Sequence, residues 1–304
     1  MINVNYDYAS IVRNSEKVAW LVDDVMPRGK PLDFSRPFLP EALAPTRSIA
    51  CLSDEERLTL NHISGNAYLN LFAFLEEYIV ATAVTHAQAE MFGDHDALRA
   101  LTRFADEELK HQQLFQRYRD AFDRDFGHEC KVLDEPAAVA GVIMSNGAIA
   151  VLLVTLHLEI MTQSHYTECV RNDLGVDPLF ASMLKHHWLE EAQHAKIDIL
   201  ELNKLIEGAS AELIAKAFDE YLGIIDAFDG LLAQQAQMDL DTLAVACKRS
   251  FTGEEVKEIL AALHRGLRQT FLHYGMSHPQ FVEIMAQVSK DGARRIAHHA
   301  EKLI

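Results

Sequence analysis

Cysteine is scarce in this 304-residue chain, and so are proline and glycine. The four cysteines, Cys51, Cys130, Cys169 and Cys247, form no CxxC pair and are widely spaced. A zinc ribbon and a disulfide framework are both excluded, and a reduced cytoplasm is the expected setting. With 8 prolines and 14 glycines, long helices are rarely interrupted, and alternating strand patterns are negligible. Basic residues are few: 28 Lys and Arg face 45 Asp and Glu, a formal net charge of −17. That balance argues against nucleic acid or an anionic membrane as a partner. The opening MINVNYDYAS has no basic, apolar signal pattern. The longest apolar run, residues 137–156, is broken by Ser145, Asn146 and Gly147 and followed at once by His157 and Glu159. It is expected to be a buried core helix rather than a membrane span.

What is present is apolar helical sequence in quantity. Hydrophobic residues make up 49% of the chain, enough for one sizeable domain over residues 1–304. Residues 1–52 read as an N-terminal arm, with a short helix near 10–25 and an extended Pro-rich run over the surface. Residues 53–207 read as four long helices. Ser53 with Glu56 is a capping box opening the first, which runs to about Phe92. Gly93 closes it, and Asp94 caps a second that ends near Phe126. A third runs from about 134–136 to Gly175, and Asp177 with Pro178 starts a fourth that continues to about Glu207. Residues 208–304 supply further helices, with starts at TGEE (252–255) and SHPQ (277–280). The expected fold is all-α: an antiparallel four-helix bundle with additional N- and C-terminal helices.

Glu108 with His111, and Glu191 with His194, are spaced i, i+3 and so share a helix face. Such pairs arise by chance about once in a chain of this composition, so the larger arrangement carries the argument. Glu76 precedes Glu108 by 32 residues, and Glu159 precedes Glu191 by the same interval. From Glu76 to the turn at Gly93 is roughly 26 Å of helix, and from Asp94 back to Glu108 roughly 21 Å. Each hairpin therefore brings a Glu level with an ExxH pair. Two hairpins give four carboxylates and two imidazoles at one height in a bundle, the pattern of a di-iron or di-manganese carboxylate centre. Four Glu match the charge of two divalent cations, and the lack of thiolates argues against zinc or Fe–S.

His187 lies on the same helical stripe as Glu191 and His194, and is a third candidate ligand there. Asp198, one turn beyond His194, is a candidate to orient an imidazole through its second nitrogen. Glu76 is preferred to its neighbour Glu77 because it shares the apolar face. His86, His157 and His165 are expected to be structural or to face substrate rather than metal.

Glu76, Glu108-x-x-His111, Glu159 and Glu191-x-x-His194 resemble the ferritin-like di-iron oxygenase superfamily over about residues 53–207. The HxxxExxH run from His187 to His194, and FLEEYIV around Glu76, are similar to the p-aminobenzoate N-oxygenase (arylamine oxygenase) branch. The resemblance implies two iron ions, with manganese compatible with the same donors, and His187 among the ligands. It implies O2 activation for oxidation of a small organic substrate, with N-oxygenation of an amine preferred. Desaturation or hydroxylation of an acyl chain on the same centre, and non-catalytic iron binding or storage, are the alternatives. No ferredoxin or flavin motif is visible, so electrons are expected from an external donor. A homodimer is compatible with these expectations.

Overall fold

The computed structural model describes residues 2–304, which form helices and no strand. The N-terminal segment carries α1 (Tyr8–Val18) and a single turn, α2 (Val22–Val25). Four long helices follow as two hairpins: α3 (Asp54–Ala89) with α4 (His95–Phe126), and α6 (Ala148–Ser164) with α7 (Pro178–Ile206). A short α5 (Pro136–Met144) connects them. The chain ends in α8 (Ala211–Ala246), α9 (Gly253–Arg268), α10 (Tyr274–Ser277), α11 (Pro279–Val288) and α12 (Lys290–Lys302). Each hairpin packs most extensively within itself, and α4 and α7 join the two.

Local chemistry sets the ends. Ser53 and Glu56 form a reciprocal capping box at α3, and Thr252 and Glu255 do the same at α9. The Asp94 and Asp177 carboxylates accept from the first free N–H groups of α4 and α7. Residues 60–76 of α3 are buried on every side, as the middle of a central helix must be. By length and composition Asp54–Ala89 and Ala148–Val170 would each cross a membrane, yet their most apolar windows are 72% and 89% buried inside the protein. They are core helices.

Two expectations are corrected. The third helix is not continuous from 134 to 175. It stops at Met144 and restarts at Ala148. The Ser145 hydroxyl and the Asn146 amide both donate to Val142 O, at 2.8 Å each, and Gly147 N donates to Glu220. Side chains that take backbone partners in this way end a helix. The Pro-rich segment does not simply lie over the surface. Asn61 of α3 accepts from Phe38 N and Leu39 N and donates to Leu39 O. Phe38, Leu39, Leu43 and Ile49 are thereby buried, with Phe38 pressed so close to Gly65 that a Cβ there would lie 2.9 Å from it.

A widened π turn, Gln269–His273, leads from α9 to α10. Its carbonyls accept hydrogen bonds from the bundle: His165 donates to Thr270 O at 2.9 Å and His157 to Phe271 O at 3.1 Å. The other ring nitrogens meet Tyr68 and Tyr221 hydroxyls. Burial brings both imidazole pKa values down to about 4, so these histidines are neutral and structural.

Asp239 of α8 is fully buried, with Gln235 donating to one oxygen and no partner on the other. Burial raises its pKa to about 8. The folded protein therefore holds a proton that the unfolded chain releases above about pH 4. This contribution to stability is complete below that pH and is lost as pH rises through about 8. Asp239→Asn, nearly isosteric with the protonated acid, should leave the melting temperature unchanged at pH 4. It should raise stability progressively up to pH 9, by a few kcal/mol at most. Thermal melts across that range check it.

Candidate metal centre

The two hairpins place Glu76 (α3), Glu108 and His111 (α4), Glu159 (α6) and His187, Glu191 and His194 (α7) at one level in the bundle. All are buried, none more than 4% exposed. The neighbouring Glu77 is exposed, so Glu76 is the residue that faces inward. Glu76, His111, His187 and Glu191 present one donor atom each within 4.8 Å of one another, and so do Glu108, His111, Glu191 and His194. Glu191 belongs to both groups. Its carboxylate lies 3.0 Å from His111 Nδ1, 2.7 Å from His187 Nε2 and 3.2 Å from His194 Nδ1. Glu108 stands 2.8 Å from His194 Nδ1, and Glu159 3.8 Å from it.

These short approaches mostly lack hydrogen-bond geometry. Nine of the twelve buried, unpaired side-chain polar atoms among the described residues belong to this cluster. They are both oxygens of Glu76, Glu108 and Glu159, with His111 Nδ1, His187 Nε2 and Glu191 Oε1. Buried polar groups are nearly always paired, and unpaired carboxylates are costly. Donor atoms that converge on shared points, mostly without hydrogen bonds between them, suit cations. Burial, then the Glu108 charge, pushes the Glu76 carboxyl well up, while hydrogen bonds from His111 and His194 bring Glu108 to about 2 against its burial. Burial also lowers the His187 pKa, leaving a neutral ring with a free lone pair.

The outer nitrogens of the two paired imidazoles are held by residues that sequence reasoning missed. His111 Nε2 donates to Glu190 at 2.9 Å, and His194 Nε2 donates to Glu107 at 3.0 Å. Each acceptor immediately precedes the inward Glu of the opposite hairpin. The signal was in the sequence: EExxH occurs at 107–111 and again at 190–194, with the same offset as the inner set. Glu107 is paired with Arg103 at 2.9 Å and accepts from Ser15 of α1, and Glu190 is paired with Lys110. Burial pushes the Glu107 acid up, but the His194 hydrogen bond and charge, helped by Ser15 and Arg103, bring its pKa to about 2. The outer carboxylates are thus balanced by their own cations, and the inner four are left for metal. Trp20 closes this side, stacked on His111 at 5.9 Å and donating to His186 O.

Asp198 does not orient an imidazole. The two nitrogens of His194 are engaged by Glu107 and by the inner carboxylates, so none remains for it. It is buried with one oxygen unpaired, and burial raises its pKa well above the usual range. His86, also near these helices, pairs with Glu201 at 2.7 Å instead.

Comparison with known proteins now bears on this geometry. A family profile, P-aminobenzoate N-oxygenase AurF, matches residues 9–217. The chain belongs to the AurF family. It is an oxidoreductase of the dimetal class, and the match covers α1 from its second residue and both hairpins, including every residue of the cluster. Among solved structures, two variants of an R2-like ligand-binding oxidase with aerobically reconstituted Mn/Fe cofactor share the fold. Each is 14% identical, with TM-score 0.50, covering 87% of this chain and 93% of its own. No curated protein matches the chain.

Glu107→Gln and Glu190→Gln remove an outer acceptor charge while keeping the shape. Each should weaken metal binding about 10- to 100-fold, the usual cost of losing such a partner. Metal titration of the purified variants measures it. Glu77→Gln, on the exposed face, should change nothing.

Proposed function

We propose that this AurF-family chain is a di-iron oxygenase that uses O2 and electrons from an external donor to oxidise a small organic amine at nitrogen. The observation carrying this reading is the convergence of three carboxylates and three imidazoles, His187 included, with Glu159 3.8 Å from His194 at its edge and nine atoms of the seven residues unpaired. Glu76, Glu108, His111, Glu159, His187, Glu191 and His194 would hold the metals in this reading, with Glu191 the carboxylate common to both donor groups. Two irons held there supply the two-electron chemistry that activates O2. Manganese suits the same donors.

The chain's own residues do the rest. Glu107 and Glu190 keep the Nε2 protons of His194 and His111 facing outward, so that both Nδ1 lone pairs face in. His187 adds a nitrogen donor where a bundle with only two ExxH pairs has none, which favours oxidation of an electron-rich nitrogen. Phe72 and Phe115 pack edge-on against its ring and exclude water from that side. A second reading, oxidation of an alkyl chain, is favoured by the apolar cavity described next.

The test supplies Fe(II), O2 and a reductant with an arylamine, and in parallel with an acyl thioester. N-oxygenated arylamine is the expected product. Oxidised acyl product alone supports the second reading, and oxidation of bulk iron without organic product supports storage.

A further inference from the structure

A cavity of about 450 Å³ lies between α3, α5, α6 and α8, a size typical of small-molecule sites. A much smaller void beside Glu76, Glu159 and Glu191 touches the metal centre. The two spaces share Leu75 and Leu158, which directly precede Glu76 and Glu159. The large cavity is thus separated from the carboxylates by two leucine side chains. Its walls are apolar, with Val142 and Ile143 of α5 facing Phe228 and Met238 of α8.

The charge of the lining is one-sided. No lysine or arginine lines the cavity. Its histidine, His157, is neutral because burial brings its pKa to about 4 and both ring nitrogens are engaged. The polar groups at the solvent end are Asp134, Glu135 and Gln234, the first two acidic and exposed. The cation in the loop before α5, Lys131, is paired with Asp241 at 2.9 Å and lies outside the lining. Recognition of a carboxylate requires an Arg, a Lys or a set of free N–H donors. This cavity offers the reverse.

We infer that the cavity binds the substrate, and that this substrate is an apolar molecule whose outer end is neutral or cationic, not a carboxylate. The inference rests on the oxygenase reading for the direction of entry: the amine goes inward past Leu75 and Leu158, and the other end lies at Asp134 and Glu135. A p-aminobenzoate-like anion would set its carboxylate against two acids with no counter-charge, a repulsion that costs affinity.

Three probes with one skeleton test it: 4-(4-aminophenyl)butanoate, 4-(4-aminophenyl)butanol and 4-(4-aminophenyl)butylamine. Binding to the metal-loaded full chain is measured by equilibrium dialysis, and product formation separately. The alcohol and the butylamine should bind at least about tenfold more tightly than the butanoate. The exposed double variant Asp134→Lys/Glu135→Lys should reverse that order. Val142→Trp, which fills the cavity from a half-exposed position, should weaken all three at least about tenfold. Equal or tighter binding of the butanoate to the unmodified protein, no binding of any probe, or unchanged affinity in the tryptophan variant would overturn the inference. If the ranking holds and no probe is oxidised, the oxygenase reading fails and the cavity assignment stands.

Discussion

Glu191→Ala is expected to lower metal content from two ions per chain to one or fewer, and to reduce product formation by at least about a hundredfold. Glu191 is the one carboxylate that approaches His111, His187 and His194 together, and it belongs to both donor groups. Its removal leaves each metal position short of an anionic donor in a site where every residue is buried. The loss should exceed the roughly 10- to 100-fold typical of outer-sphere substitutions such as those at Glu107 and Glu190. Elemental analysis and product assays on the same preparation distinguish lost metal from lost turnover. Retention of both ions with full activity would remove Glu191 from the centre.

Stripping the metals should destabilise the fold itself. Four buried carboxylates then face each other with nine cluster atoms unpaired, an arrangement that native interiors avoid. Ligand linkage gives the scale: a site bound at a thousandfold excess over its dissociation constant stabilises by about 4 kcal/mol. Two such sites contribute about 8 kcal/mol, equivalent to a shift in melting temperature on the order of 10–20 °C for a chain of this size. Calorimetry of the metal-loaded protein, the chelated protein and the chelated protein with Fe(II) restored should show the loss and its recovery. A Glu191→Ala melt that chelation leaves unchanged would tie the stabilisation to this site. Melting temperatures identical with and without metal would contradict it.

The fold was legible because helix signals are local. Caps at Ser53, Asp94, Asp177 and Thr252 act within one turn of chain, and the structure places helix starts at each. The inner ligand set was legible because a hairpin converts equal sequence intervals into equal heights, so that the 32-residue spacings to Glu108 and Glu191 imply facing side chains. The outer set was not. Whether Glu190 meets solvent or His111 depends on how α7 is rotated against α4, a matter of interhelical packing that no single-helix pattern encodes. The same limit explains Asp198. It sits at the right spacing from His194, but Glu107 on another helix reaches the imidazole instead. The break at 145–147 falls at Ser-Asn-Gly inside an apolar run, where two side chains that bond the preceding carbonyls outweigh the surrounding helix signal. Burial of the Pro-rich segment depends on the carboxamide of Asn61, which recognises backbone 22 and 23 residues away and leaves no trace in periodicity.

Elemental analysis of the purified protein after iron-replete expression tests the central claim most directly. Two irons per chain are expected, falling to one or none on substitution of Glu191 and unchanged on substitution of the exposed Glu77. Absence of metal from the unmodified protein, or a metal content indifferent to Glu191, would contradict the account.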